Sequence, residues 1–476
     1  MKRVLIGVLA LLLAGTGVVS GQNERGYKFF EWEKNVGAHS IPNNETVYYV
    51  GDYGALGDGM TMNTEAIQKT IDACAAAGGG IVKFIPGIYL TGSIYVKSNV
   101  RLQLDRGVLI RASQEIADYP LIDTRVAGIE TQWPSAIINA IDQENIAISG
   151  EGIIEGRGKP FWQSYGQLAR EYVPKGLRWI VDYDAQRPRG MLIQNCKNVT
   201  LQDFTLFQAG FWSVHVLYSQ FVTMDGVIIV NNIEGRGPST DGIDIDSSSD
   251  ILVQNCDISC NDDNFCLKAG RDADGLRVNR PTERVVIRDC IARHGDGLFT
   301  CGSETSGSIR DVVAYNLTAL GTHVGLRFKS AFTRGGTVEN IYLSDITMKG
   351  VHNPILVDMN WLPSYSYSQL PEGYNYDEIP HHWKVMLEPV DPEKGMPTFR
   401  NIYFYNIEAI ESRTAISVNA SEKSPIDSFH LTNVHIEAET PGKIVNAKNW
   451  TIENVTITTK NGEQVTVESS PGVNLY

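Results

Sequence analysis

Four segments between Ser239 and Ser330 decide the architecture: Ser239–Ser248 (STDGIDIDSS), Asn261–Gly270 (NDDNFCLKAG), Arg293–Ser303 (RHGDGLFTCGS) and His323–Ser330 (HVGLRFKS). Laid one above another on their alternating tails, they put Asp241, Asp263, Asp296 and Val324 in one column. Gly242, Asn264, Gly297 and Gly325 fill the next column, and Ile243, Phe265, Leu298 and Leu326 the third. An acid beside Gly or Asn, followed by a short alternating strand, points to strands of one repeating unit that carry their acids to a common place.

Outward from this core the repeat continues in both directions. Val199, Val222, Ile251, Val285, Val312, Ile341, Ile402, Phe429 and Trp450 anchor successive units, most of them roughly 21 to 34 residues apart. Two residues after each anchor stands an apolar residue, from Leu201 to Ile452. Four residues after stand Asp203, Gly226, Asn255, Asp289, Asn316, Asp345, Asn406, Asn433 and Asn454, the residue types that enter left-handed backbone most readily. Five residues after, the position is apolar again, with Cys256 and Cys290 reading as small core residues. Short strands, a corner every repeat and no long helical pattern between them predict an all-β parallel β-helix, in which coils stack about 4.8 Å apart. An antiparallel sandwich does not require such corners to stay in register.

Ahead of the repeat, Asn63 is placed to cap a helix reaching about Ala77, with Glu65 in its first turn, Gly78 beyond its end, and Ile67, Ile71 and Cys74 on one face. Such a helix suits a plug over the open end of a stack, within an N-terminal cap spanning about residues 45–95. Two aromatic stretches interrupt the period, at about 161–190 (Trp162, Tyr165, Tyr172, Trp179, Tyr183) and 360–400 (Trp361, Tyr365, Tyr367, Tyr374, Tyr376, Trp383). They are expected to build binding walls or to cover the flank of the solenoid.

The chain begins with Lys2 and Arg3, an apolar run Val4–Leu13 and small residues to Ser20, the pattern of a signal peptide over residues 1–20. Residues 21–476 then form one β-helix domain, expected to be soluble, monomeric, without a membrane span, and periplasmic or secreted. Seven cysteines allow disulfides there but leave at least one unpaired, and Cys256–Cys260–Cys266 matches no zinc spacing. A formal net charge of −14 argues against nucleic acid as the partner, and leaves an anionic sugar open because local cations decide that case.

Strand parity bears on chemistry. With Leu326 and Phe328 inward, Arg327 and Lys329 share the solvent face. A bend at Gly242, Asn264 and Gly297 swings Asp241, Asp263 and Asp296 onto that face, with Asp262 beside them, and spares unpaired carboxylates from the core. Crowded carboxylates cannot all ionise, so one keeps a proton. A protonated and an ionised carboxyl are the acid and base of glycoside hydrolysis, and nearby cations suit a uronic acid. The plainer readings are a calcium site or a solvated acidic ladder.

The residues now resemble glycoside hydrolase family 28, the polygalacturonase family. The likeness rests on ALGDGMTMNTEAIQKTIDACAAAGGG (residues 55–80), STDGIDID, NDD, GRDADGLRVNRPTE (270–283), GSETSG (302–307) and RFK (327–329), and covers nearly all of residues 21–476. GRDADG…NRP and GSE look like the bacterial exo-acting branch. The resemblance implies a right-handed, pectate-lyase-like β-helix and an inverting hydrolase that needs no cofactor or metal. It implies that Asp262 is the acid, that Asp241 and Asp263 activate water, and that Arg327 and Lys329 hold the uronate carboxylate. Ser239 and Asn261 stand where the family usually has Asn and Gly. Counting back from GSE puts Asp296 in the family's histidine slot, with His294 two residues earlier; either residue can contribute to substrate binding. The expected substrate is a pectic oligo- or polysaccharide, polygalacturonate or a rhamnogalacturonan oligosaccharide, cut from its end. A β-helix pectin or pectate lyase and a non-catalytic glycan-binding β-helix are the alternatives. Ultraviolet-absorbing unsaturated products would mark the lyase; binding without new reducing ends would mark the binding protein.

Overall fold

The computed structural model describes residues 29–475; the leader expected at residues 1–20 lies outside them. The chain coils into a parallel β-helix, right-handed as parallel crossovers are. Eight of the nine anchors pair coil on coil from Val199↔Val222 through Ile402↔Phe429, and the ring of the ninth, Trp450, stacks on Phe429. The ladder also extends one coil earlier, to Ile146↔Val199. All nine corner residues have left-handed backbone, with φ between 51° and 66°. Side chains tie the later corners together: Asn433 Nδ2 donates to Asn406 Oδ1 at 3.1 Å and Asn454 Nδ2 to Asn433 Oδ1 at 2.7 Å. Asn and Asp thus do two things at a corner, tolerating the backbone angle and bonding to the coil below.

Between the corners, one apolar stack fills the coil interior. All seven cysteines are buried free thiols. Helix α1 (Thr64–Ala76) closes the first coil with Ile67, Ile71 and Cys74 buried in that stack. The Asn63 side chain does not cap it; Oδ1 instead accepts from the Leu56 amide (2.7 Å) and Nδ2 donates to the Thr61 carbonyl (2.7 Å). The lead-in that reads as polar sequence has a structural role: Phe30, Trp32 and Val36 pack on the flank residues Val286, Val313 and Tyr342.

The two aromatic stretches fold into helix α2 (Lys159–Tyr172), short turns to Asp184, and short helices between Pro363 and Gly395. They pack on each other in a second apolar cluster containing Trp133, Trp179, Tyr183, Phe211, Trp212 and Trp383. Asp184 accepts from the Trp383 indole at 3.0 Å, and Trp179 donates to the Gln369 carbonyl at 3.0 Å. Several rings of these stretches form this cover, while Trp361 lies over Arg327 and Lys329.

Candidate active site

Five strands on one face position the site: β1 (Val214–Leu217), β2 (Ile243–Asp246), β3 (Phe265–Lys268), β4 (Gly297–Cys301) and β5 (Val324–Lys329). Val214, Ile243, Phe265, Phe299 and Leu326 pair in one inward row. Alternation then puts His215, Asp244, Cys266, Thr300 and Arg327 on the outer face, followed two residues on by Asp246, Lys268 and Lys329.

This register corrects the sequence alignment by one residue in its third segment. Gly297, not Asp296, pairs with Val324 and shares the Asp241–Asp263 column. Asp296 instead stacks on Asp262, its amide donating to the Asp262 carbonyl at 2.7 Å. Leu298, Phe299 and Cys301 are all fully buried, so apolarity could not show which of them points inward. The glycine is required: a Cβ at 297 would lie 2.6 Å from Asp263 Oδ1 and 2.3 Å from Thr300 Oγ1. Asn264 holds the bend, with Nδ2 donating to the Gly297 carbonyl at 2.8 Å and the His294 carbonyl at 2.9 Å.

Asp241, Asp262 and Asp263 converge, each with an oxygen within 4.8 Å of the others. Asp263 Oδ2 accepts from Lys329 Nζ at 2.8 Å; its Oδ1 accepts from Thr300 Oγ1 at 2.8 Å and Arg327 Nη1 at 3.1 Å. Burial would raise its pKa, but Lys329 and then Arg327 hold the carboxyl well below the usual carboxylate range. Asp262 has the opposite environment. Burial, then the charges of Asp241, Asp263 and Asp296, push its carboxyl well above the ordinary value. Asp241 is also raised, first by burial and then by Asp244, with Lys268 opposing.

Arg327 and Lys329 do not face open solvent as parity suggested. Both are buried, and Trp361 covers them, its ring centroid 4.3 Å from Lys329 Nζ and 5.8 Å from the Arg327 guanidinium carbon. Asp296, half exposed, accepts from Arg327 at 3.1 Å. His294 stays exposed at the end of its strand, and its carbonyl, through Asn264, is the part that meets the site. The histidine beside Asp296 is His323, in contact with His352 (Nδ1 to Nδ1, 3.1 Å).

Several residues of the site have no role assigned by the sequence reading. Lys268 Nζ lies 3.5 Å from Asp241, 3.5 Å from Asp244 and 3.6 Å from Glu304, and 4.8 Å from the Trp212 ring centroid. Further along, Arg125 and His215 flank Asp246. The parity that located Arg327 and Lys329 applies equally to Asp244 and Lys268, and was the available signal. A divalent cation could fit by distance among Asp241, Asp262 and Asp263, or among Asp241, Asp244 and Cys266. In both groups, however, lysine ammonium groups already act as counter-ions.

A carboxyl disposed to keep its proton beside one held ionised, with cations at hand, is the equipment of an enzyme that cleaves glycosidic bonds. The chain belongs to glycosyl hydrolases family 28, whose model matches residues 94–379. It is similar to an exo-poly-alpha-D-galacturonosidase of Dickeya chrysanthemi, 25% identical over 462 residues (87% of this chain, 75% of that protein). An endo-polygalacturonase of Pectobacterium carotovorum subsp. carotovorum is 27% identical over 403 residues (83% and 87%). Among solved structures, a hyperthermoactive exopolygalacturonase from Thermotoga maritima is 26% identical, covers 90% of this chain and 95% of its own, and superposes with a TM-score of 0.76.

Proposed function

We propose that this glycoside hydrolase cleaves galacturonic-acid linkages in pectic chains from the chain end, with inversion at the anomeric carbon. The observation that carries the reading is the contrast in setting between Asp262 and Asp263, adjacent in sequence: Lys329, Arg327 and Thr300 donate to Asp263, while Asp262 is crowded by Asp241, Asp263 and Asp296. Asp262 gives its proton to the glycosidic oxygen as the carbon–oxygen bond breaks. Water attacks the anomeric carbon from the other face, and its proton goes to the Asp241–Asp263 pair. Arg327 and Lys329 receive the carboxylate of the uronic acid, and Asp296, joined to Arg327, limits which sugars fit there. The polygalacturonase relatives support the substrate class.

Chain-end action is supported by what flanks the site. On the side of the earlier coils, Asp182 and Arg187 from the first insertion bond to Ser239 and Pro238, two and three residues before Asp241, beneath the Trp179–Trp383 cover. On the side of the later coils, a groove of about 700 Å³ lined by His352, Arg413, Glu437 and Glu439 leaves room for more of the chain. Digestion of trigalacturonate and longer oligomers tests this: release of one small product at every chain length is expected, and a spread of internal fragments would refute end-cutting. Galacturonan and rhamnogalacturonan oligomers side by side fix the linkage.

A further inference from the structure

Resting on that reading, we propose that Lys268 is a positioning residue. Set between Asp241 and Asp244, its ammonium favours the ionised form of Asp241 against burial, and so makes Asp241 rather than Asp263 the group that takes the proton from water.

The argument starts from which carboxylate is free to accept. Thr300, Arg327 and Lys329 already donate to the two oxygens of Asp263. A carboxylate engaged that fully is a poor base, and a good holder of charge. Asp241 has a different setting: its side chain meets Lys268 at 3.5 Å through Oδ2, while its backbone oxygen is the group that anchors Ser213. Asp241 is buried, though, and a buried carboxylate does not ionise without compensation.

Lys268 is the compensation, and it is shared. Asp244 Oδ1 stands at the same 3.5 Å, and neither Asp244 oxygen accepts a hydrogen bond among the described residues. Two carboxylates that lean on one ammonium compete for it, so a proton held on Asp244 frees Lys268 to stabilise Asp241. The strand chemistry fits: burial pushes Asp244 up to about 8, Lys268 opposing. Asp262 and Asp263 face Asp241 from the turn before β3, Lys329 from β5, and Arg187 from the insertion side. Lys268 also faces Glu304 and Cys266, with His215 beyond on β1. Glu304 is itself held ionised against burial by Lys268 and then Lys329, so it adds a fixed charge that does not switch.

The test is the pH dependence of kcat/KM on trigalacturonate for Lys268→Met, Lys268→Arg and Asp244→Asn. Without the ammonium, Asp241 ionises later, so the acid limb of Lys268→Met moves up by about one pH unit or more. Asp244→Asn keeps the neutral partner that a protonated Asp244 already provides, so its acid limb stays at the wild-type position, and Lys268→Arg restores much of that limb. Lower turnover with the acid limb unmoved in Lys268→Met, or an acid limb displaced in Asp244→Asn, would overturn the proposal. If Lys268→Met does not fold, Lys268→Gln takes its place. A ¹³C-NMR titration of the Asp241 carboxyl, assigned with Asp241→Asn, reads the same upward shift in the Lys268 variant without substrate. Wild-type inactivity on galacturonan would therefore sink the substrate reading and leave this test standing.

Discussion

Asp263 and Lys329 lie 66 residues apart in sequence, yet their side chains meet at 2.8 Å, both buried. Three strands of the stack produce this meeting, β3 pairing with β4 and β4 with β5. The pair holds one aspartate of the cluster ionised while its neighbour Asp262 is driven toward the acid form.

Removing one partner of a buried ion pair leaves the other uncompensated. Lys329→Met is expected to destabilise the fold by about 3 kcal/mol in chemical denaturation. Its kcat/KM on free galacturonate oligomers should fall more than that on methyl-esterified ones. An equal loss on both would remove Lys329 from carboxylate recognition.

General acid catalysis contributes about 10²- to 10⁴-fold. Asp262→Asn should therefore lose turnover on that scale in a reducing-end assay, with the circular dichroism spectrum unchanged. Near-normal turnover would reassign the acid.

His215 predicts an acid-side loss of stability. Arg189 can only donate, so at 2.8 Å the His215 Nδ1 accepts, which requires the neutral ring. Burial pushes the ring down to about 4 in the fold, whereas an unfolded histidine titrates near ~6.5. Below that upper value the unfolded chain takes up a proton the folded chain refuses, so stability falls as pH drops from ~6.5 to about 4. Melting temperatures across this window should decline in the wild type and flatten in His215→Asn.

The corner ladder predicts a graded response. Asn433 has φ 55° and bonds to coils on both sides. Asn433→Ala should cost about 1–2 kcal/mol by urea denaturation, because a Cβ without a bonding group is strained there. Asn433→Gly should relieve the strain and keep the loss of the bonds.

Much of this was readable in the chain. The Asn, Asp and Gly corners were visible because left-handed backbone selects those types, and all nine have that conformation. The anchors were visible because each is a buried residue that must fill the same core. Register within GLFTC was not readable, since Leu298, Phe299 and Cys301 are all apolar and all buried. For Asp244 and Lys268 parity shows the outward face but not their meeting, because the distance between coils is stated by no spacing in sequence. The packing of Trp179 on Trp383 joins residues roughly two hundred positions apart, with no periodicity to announce it.

The most direct measurement is proton NMR of the first product released from trigalacturonate, recorded before mutarotation. A saturated product whose new reducing end has the anomeric configuration opposite to the cleaved linkage is predicted. Retention of configuration, or an unsaturated sugar, would contradict the division of acid and base among Asp262, Asp241 and Asp263.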